Sequence, residues 1–102
     1  MRYEAVIKKI KNINILDVEI SLGFGIKINA SLRLLGISSL KDNDKIDEAI
    51  KYLQDILVEK EGVEIDIKLA KEHSLAIIYL SGKSINQELI DKGLAKRFIK
   101  KD

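Results

Sequence analysis

The chain has 102 residues, 18 of them basic and 16 acidic, for a formal net charge of +2, and it contains neither cysteine nor proline. That length supports one domain with a modest core, the near balance of charge does not by itself demand a polyanionic partner, and the lack of cysteine excludes disulfides and thiolate metal sites. No apolar run approaches the ~18 residues that span a membrane, and MRYEAVIKKIKN lacks the apolar stretch of a secretory signal, so a cytoplasmic, membrane-free protein is expected. No linker breaks the sequence, and residues 1–102 are expected to form a single domain.

Tyr3, Ala5 and Ile7 alternate with charged or shorter residues and predict a first strand. A turn near Ile13–Ile15 leads to a second, in which Leu16, Val18, Ile20 and Leu22 share one face and Asp17, Glu19 and Ser21 the other. Gly23-Phe24-Gly25 predicts a hairpin, because glycine accepts positive φ without penalty. Ile26, Ile28, Leu32 and Leu34 make a third strand, with an irregularity expected around Asn29–Ser31. After a polar loop over residues 38–45, Ile46, Ala49, Ile50, Leu53, Ile56 and Leu57 recur at spacings of three and four. That is the stripe of an amphipathic helix, capped by Asp42 or Asp44 and expected to end by Gly62. Val63, Ile65, Ile67 and Leu69 mark a fourth strand, and the apolar run from Leu75 to Leu80 a buried fifth. Ile85, Leu89 and Ile90 give a short second helix stopped by Gly93. Three strands, a helix, two strands and a helix suit an α+β, mainly β fold: a five-stranded OB barrel with a helix filling one end.

The segment LSGKSINQELIDKGLAKR, Leu80 to Arg97, carries the sharpest signal. A turn at Ser81-Gly82-Lys83, a helix bearing Asn86 and the ending Gly93-Leu94-Ala95 resemble the C-terminal part of staphylococcal-nuclease-like (thermonuclease) domains. Leu22-Gly23-Phe24-Gly25-Ile26 and Leu32-Arg33-Leu34-Leu35-Gly36-Ile37 resemble the hairpin and the Arg-containing third strand of the same family. The resemblance implies the OB barrel already expected from the periodicity. It also implies a shortened member, because longer relatives continue into a further helix after Gly-Leu-Ala.

Active members cut phosphodiester bonds with calcium and five catalytic side chains. Carried onto this sequence, the calcium-binding Asp becomes Asn14, the second metal-binding Asp becomes Ser38, the Glu that orients water becomes Lys41, and one of two Arg becomes His73. Only Arg33 matches. A register slip would bring Asp17 or Glu19 in place of Asn14. Ca²⁺ needs clustered oxygens, with carboxylates supplying most of the charge. Asn14 and Ser38 are neutral, and Lys41 repels a cation. Cleavage then lacks both the activated water and the Lewis acid, where losing one proton-transfer group alone costs ~10²–10⁴-fold. The resemblance therefore implies no catalytic residue, no metal and no cofactor.

Several residues admit two readings. Arg33 is either a phosphate fork or a structural partner of a carboxylate. His73 is a weak acid–base group or a surface residue. Asp42-Asn43-Asp44 is a relocated ion site or a helix cap. Phe24 is a contact at a hairpin tip or a lid on the core. Lys8, Lys9 and Lys11, and at the other end Lys96, Arg97, Lys100 and Lys101, are either polyanion contacts or solvated faces. Aromatic residues are too few for an obvious stacking platform. The expectation is a non-catalytic, degenerate nuclease-like binding module, with a protein partner or self-association ahead of nucleic acid. The competing expectation is a calcium-dependent phosphodiesterase whose site is rebuilt from Asp17, Glu19 or the 42–44 loop.

Overall fold

A computed structural model describes residues 2–69 and 74–98. In chain order the elements are β1 (Arg2–Asn12), β2 (Ile15–Gly23), β3 (Ile26–Leu34), β4 (Ile37–Ser38), α1 (Asn43–Leu57), β5 (Val63–Leu69), β6 (Ser74–Leu80), β7 (Lys83–Ser84), α2 (Ile85–Asp91) and β8 (Lys96–Arg97). The long strands run β3-β2-β1-β5-β6, each antiparallel to the next. The sheet closes where β3 meets β6 in parallel, Arg33 opposite Leu75 and Leu34 opposite Ala76. The result is a closed five-stranded barrel of OB type, mainly β with two helices, and α1 connects its third and fourth strands.

Alternation builds the wall. Leu16, Val18 and Ile20 on β2 are buried, while Asp17, Glu19 and Ser21 between them are only partly covered. On β1 the buried residues are Ala5, Ile7 and Ile10, a spacing of two and then three. The register shifts between Ile7 and Lys9, and again between Ile10 and Asn12. A bulge inserts one extra residue and so returns an apolar side chain to the core. The irregularity expected at Asn29–Ser31 is absent: β3 pairs with β2 without a shift from Lys27 to Arg33, and the shift in that hairpin lies between Ser21 and Gly23.

Asp42 caps α1, its carboxylate accepting from the N–H groups of Asp44 (2.9 Å) and Lys45 (3.4 Å). Ala49, Leu53 and Leu57 are fully buried along the expected stripe. The helix ends at Leu57, earlier than Gly62: Val58 turns extended and bridges to Ile7. Gly62, at φ +80°, instead forms the turn into β5. None of the helices is long and apolar enough to cross a membrane, among the described residues.

The closure of the barrel is held by α2. Asn86 is buried, its Oδ1 accepting from the Ile78 N–H (3.0 Å) and its Nδ2 donating to the carbonyls of Leu35 (2.9 Å) and Ala76 (3.0 Å). A single amide thus ties the helix to both strands of the parallel seam. The helix ends in a Schellman motif: the Leu94 N–H reaches the Leu89 carbonyl (2.9 Å), the Gly93 N–H reaches Ile90 (3.0 Å), and Gly93 has φ +72°. Leu94 and Leu89 are both buried. The Tyr52 hydroxyl donates to Glu88 (3.1 Å), linking α1 to α2.

Candidate functional site

The turn between β1 and β2, the end of β3 and the short β4 form one rim of the barrel, and Asn14, Arg33 and Ser38 lie along it. The Asn14 carbonyl accepts from the Leu34 N–H (2.9 Å), which holds the turn against β3. Arg33, the adjacent residue, sits between Ile15 on β2 and Leu75 on β6. It is exposed, and no described residue forms an ion pair with it. The reading of Arg33 as a partner of a carboxylate therefore has no described partner behind it, and its guanidinium presents its donors to solvent.

Two groups of residues that are far apart in sequence meet on a two-stranded ribbon. β4 pairs with β8, so that Ser38 is opposite Lys96 and Ile37 opposite Arg97. The Phe98 N–H extends the contact to the Gly36 carbonyl at 2.8 Å. The position matched to a metal-binding Asp thus holds a half-buried Ser with a Lys directly across the ladder. Lys41 follows three residues on and is exposed. Arg97 makes one long contact, to Gln87 Oε1 at 3.4 Å. His73, Lys100 and Lys101 lie outside the described residues.

Three of the acids offered for a rebuilt metal site, Asp17, Glu19 and Asp42, are engaged elsewhere. Asp17 accepts from the Ser31 hydroxyl (2.5 Å) and pairs with Lys11 (3.3 Å). The Ser31 bond first, then the Lys11 ammonium, holds the Asp17 carboxyl below its ordinary range. Glu19 pairs with Lys27 at 3.6 Å. Asp42 serves the helix, as above. Among the described residues no three His, Asp or Glu side chains converge as metal ligands would.

Two features extend beyond the single residues that the sequence offered, Lys8 and Lys9 in one and Phe24 in the other. The first is an open groove of about 560 Å³ between β1 and the end of α1, lined by Lys8, Lys9, Lys60, Gln54, Asp55 and Val58. The expected Lys8–Lys11 cluster is divided by its ion pairs, Lys8 with Glu59 (3.1 Å) and Lys11 with Asp17. The second is the β2–β3 hairpin. Leu22, Phe24, Ile26 and Ile28 are all exposed there, and Phe24 completely so. That exposure excludes the core-lid reading of Phe24. The alternation that marks these residues as strand also marks them as core. Only the length of the hairpin relative to the barrel separates the two, and the sequence does not carry that.

No family model matches the chain, and no curated protein matches it at a significant level.

Proposed function

We propose that this chain is a degenerate nuclease-like OB barrel that acts by binding and not by catalysis. The observation that supports it most is the β4–β8 ribbon, which places Lys96 across from Ser38, with Arg33 and Lys41 on the segments leading in and out. Where a hard cation would need carboxylates, the rim presents cationic side chains and a hydroxyl. A metal ion there is repelled, and water beside it is not activated. The rim suits an anion instead. A guanidinium fork holds a phosphate without a metal, and one exposed contact of about 1.5–3 kcal/mol corresponds to millimolar affinity at best. Nucleic acid is therefore the secondary ligand class. The apolar exposure of the β2–β3 hairpin favours a protein surface as the primary one.

The test is incubation of the protein with single-stranded and duplex DNA and RNA in millimolar Ca²⁺, beside gel-shift measurements in EDTA. No cutting is expected, with at most weak, salt-sensitive retardation that falls in Arg33→Ala. Robust cutting that needs Ca²⁺ and disappears in Arg33→Ala overturns the reading in favour of the phosphodiesterase.

A further inference from the structure

β3 has two edges with different histories. One pairs with β2 along its whole length, and the other pairs with β6 only at Arg33 and Leu34. The Leu34 N–H points to β2, to the Asn14 carbonyl, and the Leu35 N–H points to β6, to the Ala76 carbonyl. Successive residues of a strand direct their backbone groups to opposite sides. Lys27, Asn29 and Ser31 therefore aim their N–H and C=O groups at an edge that no described strand occupies. Such edges are usually blunted by proline, a bulge or several charges. Here the run from Lys27 to Arg33 is free of bulges, the chain has no proline, and the lone lysine, Lys27, is drawn towards Glu19 at 3.6 Å.

The side chains flanking this edge are apolar. Leu22, Ile26 and Ile28 continue the inner face of the barrel beyond its core, and they are 44%, 55% and 46% exposed. At the tip, Phe24 has φ +54° and Gly25 φ +74°, the signs of a two-residue type I′ turn. A bulky residue at positive φ costs about 1–2 kcal/mol, and Phe24 recovers none of it by burial, being fully exposed. Local strain held at a surface position points to function.

We infer that this edge of β3, which no described strand occupies, pairs antiparallel with the same edge of a second copy of this chain, about a two-fold axis at Ile28, an inference that rests on the reading of the chain as a binding module. The edge is self-complementary in that register. Ile28 meets Ile28 of the second copy, Ile26 lies opposite Ala30, and Lys27 lies opposite Asn29, so no like charges face each other. Lys27 and Asn29 exchange backbone hydrogen bonds across the axis, and the two apolar hairpin faces become one. Among the described residues, the stretch is bounded by the hairpin turn at one end and by β6 at the other. A strand that itself ends in a tight turn fits that slot, and β3 is such a strand. The patch is small beside the ~800 Å² per partner of a stable interface, so the dimer is reversible, with a Kd on the order of micromolar or weaker.

The absence of cysteine makes the test direct. Ile28→Cys introduces the sole thiol. Residues facing each other as a non-hydrogen-bonded antiparallel pair have Cα atoms ~4.5 Å apart, within the range a disulfide spans. Mild oxidation at about 50 μM is expected to convert Ile28→Cys to a covalent dimer at least tenfold faster than Lys51→Cys, on the exposed face of α1. Adding Asn29→Pro to Ile28→Cys removes an edge N–H without touching the β2 ladder. It is expected to abolish the cross-link while circular dichroism stays that of the folded barrel. Should Asn29→Pro disturb the fold, sedimentation of Phe24→Ser with Ile28→Lys, both at exposed positions, provides the second reading, with a monomer expected where the parent shows concentration-dependent association. Equal cross-linking rates for Ile28→Cys and Lys51→Cys overturn the proposal, as does a parent that stays monomeric at several hundred micromolar. So does a cross-link that survives Asn29→Pro in a folded protein. Any of these leaves the nuclease assay unaffected, and calcium-dependent cutting sinks the functional reading without moving the cross-link.

Discussion

The two ends of β3 show how differently one strand can be used. At its C-terminal end Leu32 and Leu34 are buried, the backbone is bonded to β2 on one side and β6 on the other, and Asn86 satisfies the seam. At its N-terminal end Ile26 and Ile28 are exposed, no described strand occupies one edge, and the turn residue Phe24 sits in a backbone region that suits glycine or asparagine. Both ends alternate large aliphatic residues, isoleucine at the open end and leucine at the closed one. The difference is whether another element of the chain reaches them. The lesson is that apolar alternation specifies a strand and a face but not what covers that face.

Asn86→Ala should break the closed end and has the largest expected effect. It leaves the Ile78 N–H and the Leu35 carbonyl without their side-chain partner inside the protein, whereas the Ala76 carbonyl keeps the Leu35 N–H at 2.8 Å. A buried polar group left unpaired costs about 1–3 kcal/mol, so the expected loss is about 2–5 kcal/mol in urea denaturation, with an unchanged m-value. A loss below about 1 kcal/mol would mean that the seam is held by β3–β6 pairing alone and that α2 merely rests on it.

Phe24→Asn tests the open end, with a smaller effect of opposite sign. Asparagine tolerates positive φ, and Asn-Gly is the favoured pair for this turn. Removing the strain while losing no burial should stabilise the monomer by about 1 kcal/mol. A destabilised Phe24→Asn variant would show that the tip contributes to the fold, and the contrast between the two ends of β3 would lose its basis.

Most of the fold was legible because its signals are periodic. The period of two in Leu16, Val18 and Ile20 and the spacing of three and four in Ala49, Leu53 and Leu57 each select a single geometry. Asn86 was legible through its place in the turn–helix–Gly-Leu-Ala segment, and the structure supplies the physical reason, three hydrogen bonds across the seam. The bulges of β1 are also written in the sequence, in the step of three from Ile7 to Ile10, but the charge of Lys8-Lys9 masks it. The β4–β8 ribbon was not legible, since two-residue strands such as Ile37–Ser38 and Lys96–Arg97 are too short to alternate. The meeting of Ser38 with Lys96 was hidden for that reason, although each residue had been singled out by itself. The irregularity expected around Asn29–Ser31 is absent, although asparagine and alanine are depleted in strands. Cross-strand contacts override that preference, among them the Ser31 hydroxyl bonded to Asp17.

That Ser31–Asp17 pair lies where β3 passes from its closed to its open half, and Asp17→Asn sharpens the boundary with the smallest effect. Asp17 is opposite Ser31 in the ladder, and its carboxyl is held below the ordinary range by the Ser31 hydroxyl first and Lys11 next. A carboxyl whose folded pKa is depressed binds its proton less readily than in the unfolded chain. Its contribution is therefore complete above the ordinary carboxylate range and is lost as pH falls through the lowered folded value. Asp17→Asn should melt slightly below the parent at neutral pH, and the gap should close on acidification. The side chain is only partly covered and solvent screens the pair, so the shift in Tm is expected to be small. Salt separates the two causes. Screening weakens the Lys11 attraction but not a hydrogen bond already made at 2.5 Å. Most of the gap should therefore survive ~1 M NaCl and should shrink in Ser31→Ala. A gap that vanishes in salt would assign the effect to Lys11, and one that widens in acid would show that Asp17 is protonated more easily in the folded barrel than outside it. Either result would mean that Ser31 does not fix this part of β3, and that the closed half of the strand ends nearer the seam.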